Sequence, residues 1–176
     1  MLKQRAAHPE LMQYRNDIQY ASDQAGIPAC LLAAIVWRES GGQNIYQIGM
    51  PKGPGCGVGL TQITAGVDWT NPNDPTYQGS HLMTPADNLY VAANYFLKGL
   101  VQNAQAAEAN SPQAFQASCR GQIVFAAACG YNAGWGAVQN AMQQGVDVDT
   151  MTTNGYGADV LAKYVTLVND SHQAGG

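Results

Sequence analysis

The sequence predicts a mainly helical domain with little or no sheet. Three observations carry this reading. Apolar residues recur at the 3–4 spacing of a helix face, beginning with Leu11, Tyr14, Ile18, Ala21 and Ala25. Helix punctuation separates the segments: Gly26 followed by Pro28, Thr84-Pro85, and Ser111-Pro112. Strand signals are weak throughout. At 176 residues the chain is long enough to bury one real core, and residues 1–176 are read as a single domain without internal repeats.

The first helix is expected from Pro9 to Gly26, with Gly26 as its stop. The next runs from Pro28 to Glu39. Leu31, Leu32, Ile35, Val36 and Trp37 cover nearly all its faces, which predicts a central, buried helix ended by Gly41-Gly42. Gly42 to Gly59 reads as a glycine-rich loop broken further by Pro51 and Pro54. Loops of this length inside compact domains are usually functional. Asn71 to Gly79 is a second irregular stretch. Thr84-Pro85-Ala86-Asp87 opens a helix with a hydroxyl cap, a proline and a carboxylate. That helix turns Leu89, Ala93, Phe96, Leu97 and Leu100 inward and fades into the polar stretch Gln102 to Asn110. Ser111 to Gly130 is largely helical, with a break near Gly121 and an apolar run from Ile123 to Cys129. The cluster Gly130-Tyr131-Asn132-Ala133-Gly134 marks a helix end. Trp135 to Gln144 is a short helix, Gly145 to Gly157 a loop, and Ala158 to Asn169 the last helix.

Composition narrows the partners. Apolar residues make up 46% of the chain and charged residues 11%, with a net charge of -4. The remaining polarity comes from Gln, Asn, Thr, Ser and Gly. No Lys/Arg run is present to neutralise phosphates, so nucleic acid is not an expected partner, and attraction to an anionic membrane is equally unsupported. The longest apolar run, Cys30 to Trp37, is far short of the roughly 20 residues that span a bilayer. The N-terminal stretch MLKQRAAHPELMQ lacks the apolar centre of a secretory signal, which fits a mature chain with an added Met1 or export by another route, phage lysis among them. His8, His81 and His172 are scattered and no Cys-x-x-Cys pair exists, so no metal or other cofactor is expected. Two disulfides are the expected state of Cys30, Cys56, Cys119 and Cys129, which would place the protein outside the cytosol. The alternative is buried free thiols, since Cys30 and Cys129 sit in apolar helical runs.

The chemistry centres on Glu39. It ends an almost wholly apolar helix, and burial there disfavours the charged carboxylate and raises its pKa. A raised carboxyl pKa is what a general acid needs near neutral pH. A structural ion pair with an arginine is the alternative. Its neighbour Arg38 is expected to point elsewhere, because adjacent helical residues do not face each other.

Four short stretches occur in order: Glu39-Ser40, Gly59-Leu60-Thr61-Gln62, Tyr131-Asn132-Ala133-Gly134, and a late helical Tyr164-Val165. Together with Asn88-Leu89 opening a helix, this order resembles the soluble lytic transglycosylase domain and its goose-type lysozyme relatives, from about Leu11 to Val168. The resemblance implies a lysozyme-like α (α+β) fold with a groove for peptidoglycan glycan strands, in which N-acetylmuramic acid alternates with N-acetylglucosamine. It implies cleavage of the β-1,4 bond following the muramic acid, with Glu39 first as acid and then as base. An extracytoplasmic site of action follows, in periplasm, cell wall or medium, or by phage delivery. A monomer is the default expectation.

Hydrolysis and transglycosylation differ in their need for a second group. A hydrolase usually adds a second carboxylate about 5 to 9.5 Å from the first. A transglycosylase relies on the substrate's acetamido group and its C6 hydroxyl, and leaves a 1,6-anhydro end. Between Glu39 and Gln62 there is no Asp or Glu. Goose-type enzymes carry one Asp in this loop and another just past the Gln, where this chain has Thr64. Asp68 is the nearest candidate second carboxylate. The balance favours a lytic transglycosylase over a goose-type-like muramidase, and over a glycan-binding module without activity.

The resemblance also distributes roles. Tyr164 is expected to donate its hydroxyl to Glu39, against a plain core aromatic at helical spacing. Gln62 and Asn132 offer amides matched to sugar acetamido and hydroxyl groups, against turn or cap roles. Tyr131 offers a flat face to a sugar ring or packs under the helix end. Ser40 contacts substrate or closes its helix, and Gly59 admits backbone close to the ligand. Trp37 and Trp135 flank two motifs, with core packing the favoured reading. Glu39 and Tyr131 both end helices and both should face the groove. Cys30 and Cys119 lie back from those ends by about 14 to 18 Å at 1.5 Å per residue. Cys30–Cys119 and Cys56–Cys129 are therefore the expected bridges, one of three connectivities.

Overall fold

The structure, a computed structural model, describes residues 8–49, 55–64 and 80–173. Among these the architecture is helical. Two helices at the N-terminus, α1 (Pro9–Met12) and α2 (Arg15–Ala25), replace the single helix expected from Pro9 to Gly26. Next come α3 (Ala29–Ser40) and a two-stranded antiparallel hairpin, β1 (Gly57–Val58) and β2 (Ile63–Thr64). After a 3₁₀ turn (Ser80–Met83), α4 (Pro85–Val91), a π-helical segment (Ala92–Leu97) and α5 (Lys98–Asn110) form one continuous rod. Then follow α6 (Pro112–Cys119), α7 (Ile123–Ala133), α8 (Trp135–Gln144), a second 3₁₀ turn (Val148–Met151) and α9 (Tyr156–Gln173).

The local signals acted largely as their chemistry dictates. Gly26 and Gly41 cap α2 and α3 in the left-handed conformation, at φ 68° and 60°. Pro85 and Pro112 sit in the first turns of α4 and α6, where a missing N–H is harmless. The hydroxyls of Thr84 and Ser111 make no capping bond, so proline and the inward-facing apolar residues set those starts. The polar stretch to Asn110 does not fade: α5 continues through it, anchored by buried Val101 and Ala104. The expected break near Gly121 is present, with Arg120 in the left-handed conformation closing α6.

Two apolar clusters make the core, and α7 divides them. Ala127 and Ala128 face the first cluster, built mainly from α2, α3, α4 and α9. Phe125, Ala126 and Cys129 face the second, built with α6 and α8. Leu31, Leu32 and Ile35 of α3 are fully buried. Each such side chain contributes about 1.5–3 kcal/mol of burial, so α3 and α7 are the rigid members on which the site is built.

The expected disulfides are not present. All four cysteines are free. Cys30–Cys119 fails because Cys30 packs on the first cluster and Cys119 belongs to the second. Cys56–Cys129 fails because Cys56 is buried beside the hairpin, whereas Cys129 lies beneath the start of α9, its Sγ 4.0 Å from Asp149 Oδ1. Burial pushes the Cys119 thiol up to about 11, and Cys129 higher still, so both are held protonated. The cysteines therefore no longer bear on the compartment in which the protein works. No described helix is long and apolar enough to cross a membrane.

Candidate active site

The last turn of α3 meets the first turns of α9, the two helices running in opposite directions. Trp37 lies under Lys163, whose Nζ is 5.1 Å from its ring centre. Arg38 Nε pairs with Asp159 Oδ2 at 3.3 Å. Glu39 Oε1 accepts the Tyr156 hydroxyl at 2.5 Å. Arg38 thus turns away from Glu39, as expected of a helical neighbour, and its guanidinium lies 5.2 Å from the centre of the Tyr156 ring.

The sequence reading weighed Tyr164 for this hydroxyl against a plain core aromatic, and the bond to Glu39 is made by Tyr156 instead. Tyr164 is eight residues further along α9, about 12 Å at 1.5 Å per residue, and packs partly buried against the first core cluster. The start of α9 was read as loop up to Gly157, so Tyr156 fell outside the helix. Its signal is the segment Gly155-Tyr156-Gly157, a lone aromatic between two small residues. Gly157 has no room for a side chain, because a Cβ there would collide with Cys129 Sγ.

Burial raises the pKa of Glu39 from its ordinary value, while the Tyr156 hydrogen bond and the nearby Arg38 charge oppose that shift without cancelling it. Tyr156 is buried, and burial with the adjacent Glu39 charge holds its phenol well above its usual pKa. It is therefore a fixed donor, with its proton always available to the carboxylate.

Glu39 lines an open groove of about 970 Å³. One wall is the hairpin and the segment before it. Ile45, Gln47 and Gln62 face the groove, and the exposed Ile48 stands at its lip. The Gly42–Gly59 loop is thus partly ordered into sheet: Tyr46 bridges Val58, and Gly59 N donates to Ile45 O at 2.9 Å. The other wall is helical, with Tyr95 and Phe96 from the π-helical segment, and Tyr131, Asn132 and Trp135 from the α7–α8 junction. Trp135 both lines the groove and packs on the second core cluster. Trp37 packs against His8 instead, the two rings tilted by 48° with their centres 3.8 Å apart.

Several residues expected to touch substrate hold the hairpin turn. Ser40 Oγ donates to Leu60 O at 2.7 Å, which ties the end of α3 to the turn. Gln62, at φ 50°, donates from Nε2 to Gly59 O at 2.7 Å and to Ile45 O at 3.0 Å. The Tyr131 hydroxyl donates to Thr61 O at 3.1 Å, leaving the ring at the groove. Asn132 Oδ1 accepts Thr153 N at 2.9 Å. Gly59 was read as the place where a ligand approaches backbone. What approaches is protein: at φ 75°, a Cβ would run into Leu82 O and Asn88 Nδ2.

Asn88 is the organiser that sequence reasoning left without a role. Fully buried, it accepts Thr61 N at 2.9 Å and Thr61 Oγ1 at 2.7 Å, and donates to Val58 O at 2.9 Å. The Asn88-Leu89 pair at the helix start was the available signal, but its burial was not legible in the sequence. Asp68 lies outside the described residues. Among the described residues, Glu39 is the one carboxylate lining the groove.

A helical fold with a small hairpin and an open groove lined by Glu39 is the layout of a lysozyme-like domain. A family model described as Transglycosylase SLT domain matches residues 16–152. That span is more than half of the chain, and the chain belongs to the transglycosylase SLT domain family. Its fold is mainly α and lysozyme-like, and the family acts on peptidoglycan. A search of curated proteins found no match.

Proposed function

We propose that this chain is a peptidoglycan lytic transglycosylase in which Glu39 alone serves as acid and base. The observation that carries the reading is the setting of Glu39 among the described residues. It is a raised carboxyl held by a phenol, with no second carboxylate among the described lining residues. Protonated Glu39 gives its proton to the glycosidic oxygen following N-acetylmuramic acid, and the bond from that oxygen to the anomeric carbon breaks. The substrate's acetamido group supports the positive charge. The C6 hydroxyl of the same sugar then bonds to the anomeric carbon and returns its proton to Glu39, closing a 1,6-anhydro ring. The Tyr156 hydroxyl stabilises the carboxylate between the two transfers. Neutral amides and the faces of Tyr95, Tyr131 and Trp135 suit an uncharged sugar backbone. Every group named belongs to one chain, so a monomer suffices, and the substrate puts the site of action outside the cytoplasm.

Mass spectrometry of products from purified peptidoglycan tests this. Anhydro-muramic ends are expected. Reducing ends formed by water would assign a muramidase, and no cleavage by the wild type would leave a glycan-binding module.

A further inference from the structure

The groups that hold Tyr156 in place form a connected set outside the groove. Thr152 Oγ1 accepts Tyr156 N at 3.1 Å, so the tyrosine's own backbone is fixed by that hydroxyl. The Thr152 hydroxyl in turn donates to Asp149 Oδ1 at 2.7 Å. Asp149 also accepts Gly157 N at 2.7 Å and Ala158 N at 3.1 Å, satisfying N–H groups that the first turn of α9 leaves without helical partners. The Asp149 side chain is only 9% exposed. Behind it, Arg120 Nε pairs with Asp147 Oδ2 at 2.9 Å, and Arg120 reaches Asp149 Oδ2 at 3.8 Å. One carboxylate thus binds three donors around Tyr156, and each of the two residues after the tyrosine is among them.

We propose that Asp149, acting with Thr152, is a positioning residue for the acid: it fixes the first turn of α9, which fixes Tyr156, which fixes Glu39. This rests on the reading of Glu39 as the acid. Neither Asp149 nor Thr152 lines the groove, so their effect on the reaction runs through Tyr156. The Tyr156–Glu39 hydrogen bond opposes the burial-driven rise in the Glu39 pKa. Loosening α9 weakens that bond and moves the Glu39 pKa upward. The charged and titratable groups facing the pair are Arg38, tied to Asp159, which also binds Lys163, and Tyr131 beside Tyr156. Those facing Asp149 are Arg120, Asp147 and Cys129, with Cys119 beside Cys129.

Thr152→Val removes the hydroxyl at nearly constant volume, and Thr152→Ser restores it. We expect Thr152→Val to lower kcat by about tenfold to a hundredfold with little change in KM. The alkaline limb of the pH profile should move upward, and Thr152→Ser should recover both. Asp149→Asn should shift the same limb in the same direction if it folds. Carbon-13 titration of the Glu39 carboxyl reads the shift without any need for turnover, so an inactive wild type would refute the assigned reaction while leaving this coupling measurable. A folded Thr152→Val protein with unchanged pH profile and unchanged Glu39 titration would overturn the proposal.

Discussion

At the scale of the residue, the site is a carboxyl whose burial raises its pKa and whose charge is eased by a phenol. Glu39→Gln should reduce turnover by about 10²–10⁴-fold, since the amide has no proton to transfer. The same substitution should raise Tm at neutral pH. The folded pKa of Glu39 lies above its unfolded value of about 4.3, so the folded state holds the proton more tightly. Its stabilising contribution is full below that unfolded value and is lost as pH rises through the folded one. The glutamine, which still offers Tyr156 an acceptor, does not carry that loss. Melting curves of both proteins at pH 7 and near pH 3.5 check this: the variant should gain at pH 7 and the gap should narrow in acid. A gap that widens in acid would contradict burial as the cause. Tyr156→Phe makes a complementary case. It removes the hydrogen bond that lowers the Glu39 pKa, so the alkaline limb of kcat/KM should move to higher pH while activity falls by about tenfold or more. A limb moved to lower pH would mean that the phenol does not stabilise the carboxylate.

At the scale of the element, the hairpin turn is held by side chains from three helices: Ser40 from α3, Asn88 from α4 and Tyr131 from α7. Asn88 is the most demanding of these, because the Thr61 and Val58 groups it satisfies are buried with it. Asn88→Ala should cost about 2–4 kcal/mol, as buried polar atoms lose their partners. Chemical denaturation measures it, and a loss below about 0.5 kcal/mol would mean that the turn is held mainly by Ser40 and Tyr131. Much of this level was legible in the sequence and some was not. Helices were legible because their signals are local: the 3–4 periodicity of α2, the all-round apolar faces of α3 and α7, and proline at the start of α4 and α6. The π-helical segment was not, because nothing in Ala92–Leu97 departs from ordinary helical composition. Its effect is to bring Tyr90 and Tyr95, five residues apart, to a ring separation of 6.3 Å, with Tyr95 at the groove. Roles within the motifs were also hidden. Gln62 and Ser40 have the chemistry to bind sugar and to bind backbone alike, and which is used depends on carbonyls far away in the chain.

At the scale of the whole molecule, the same contrast between local and long-range signals explains Glu39, Tyr156 and the cysteines. Glu39 was singled out by a local feature, a carboxylate ending an apolar helix. Its partner lies 117 residues away, and only the antiparallel packing of α9 on α3 decides that it is Tyr156 and not Tyr164. The cysteines failed for a related reason: helix directions were inferred, but the sequence did not reveal that α7 splits the core in two. The consequence is that the fold is held by packing and buried hydrogen bonds, with no covalent cross-link among the described residues. A native disulfide in a small domain typically contributes 2–5 kcal/mol. For a chain of this size that corresponds to a Tm change of about 4 °C or more per bridge. Tm and activity should therefore be the same with and without excess dithiothreitol. Thiol titration in guanidinium should count four reactive groups without prior reduction, while native protein reacts slowly at the buried Cys56, Cys119 and Cys129. A drop in Tm of more than about 5 °C on reduction, or fewer than four free thiols in the unfolded chain, would show that a bridge forms and that the two core clusters are not the independent packing units described.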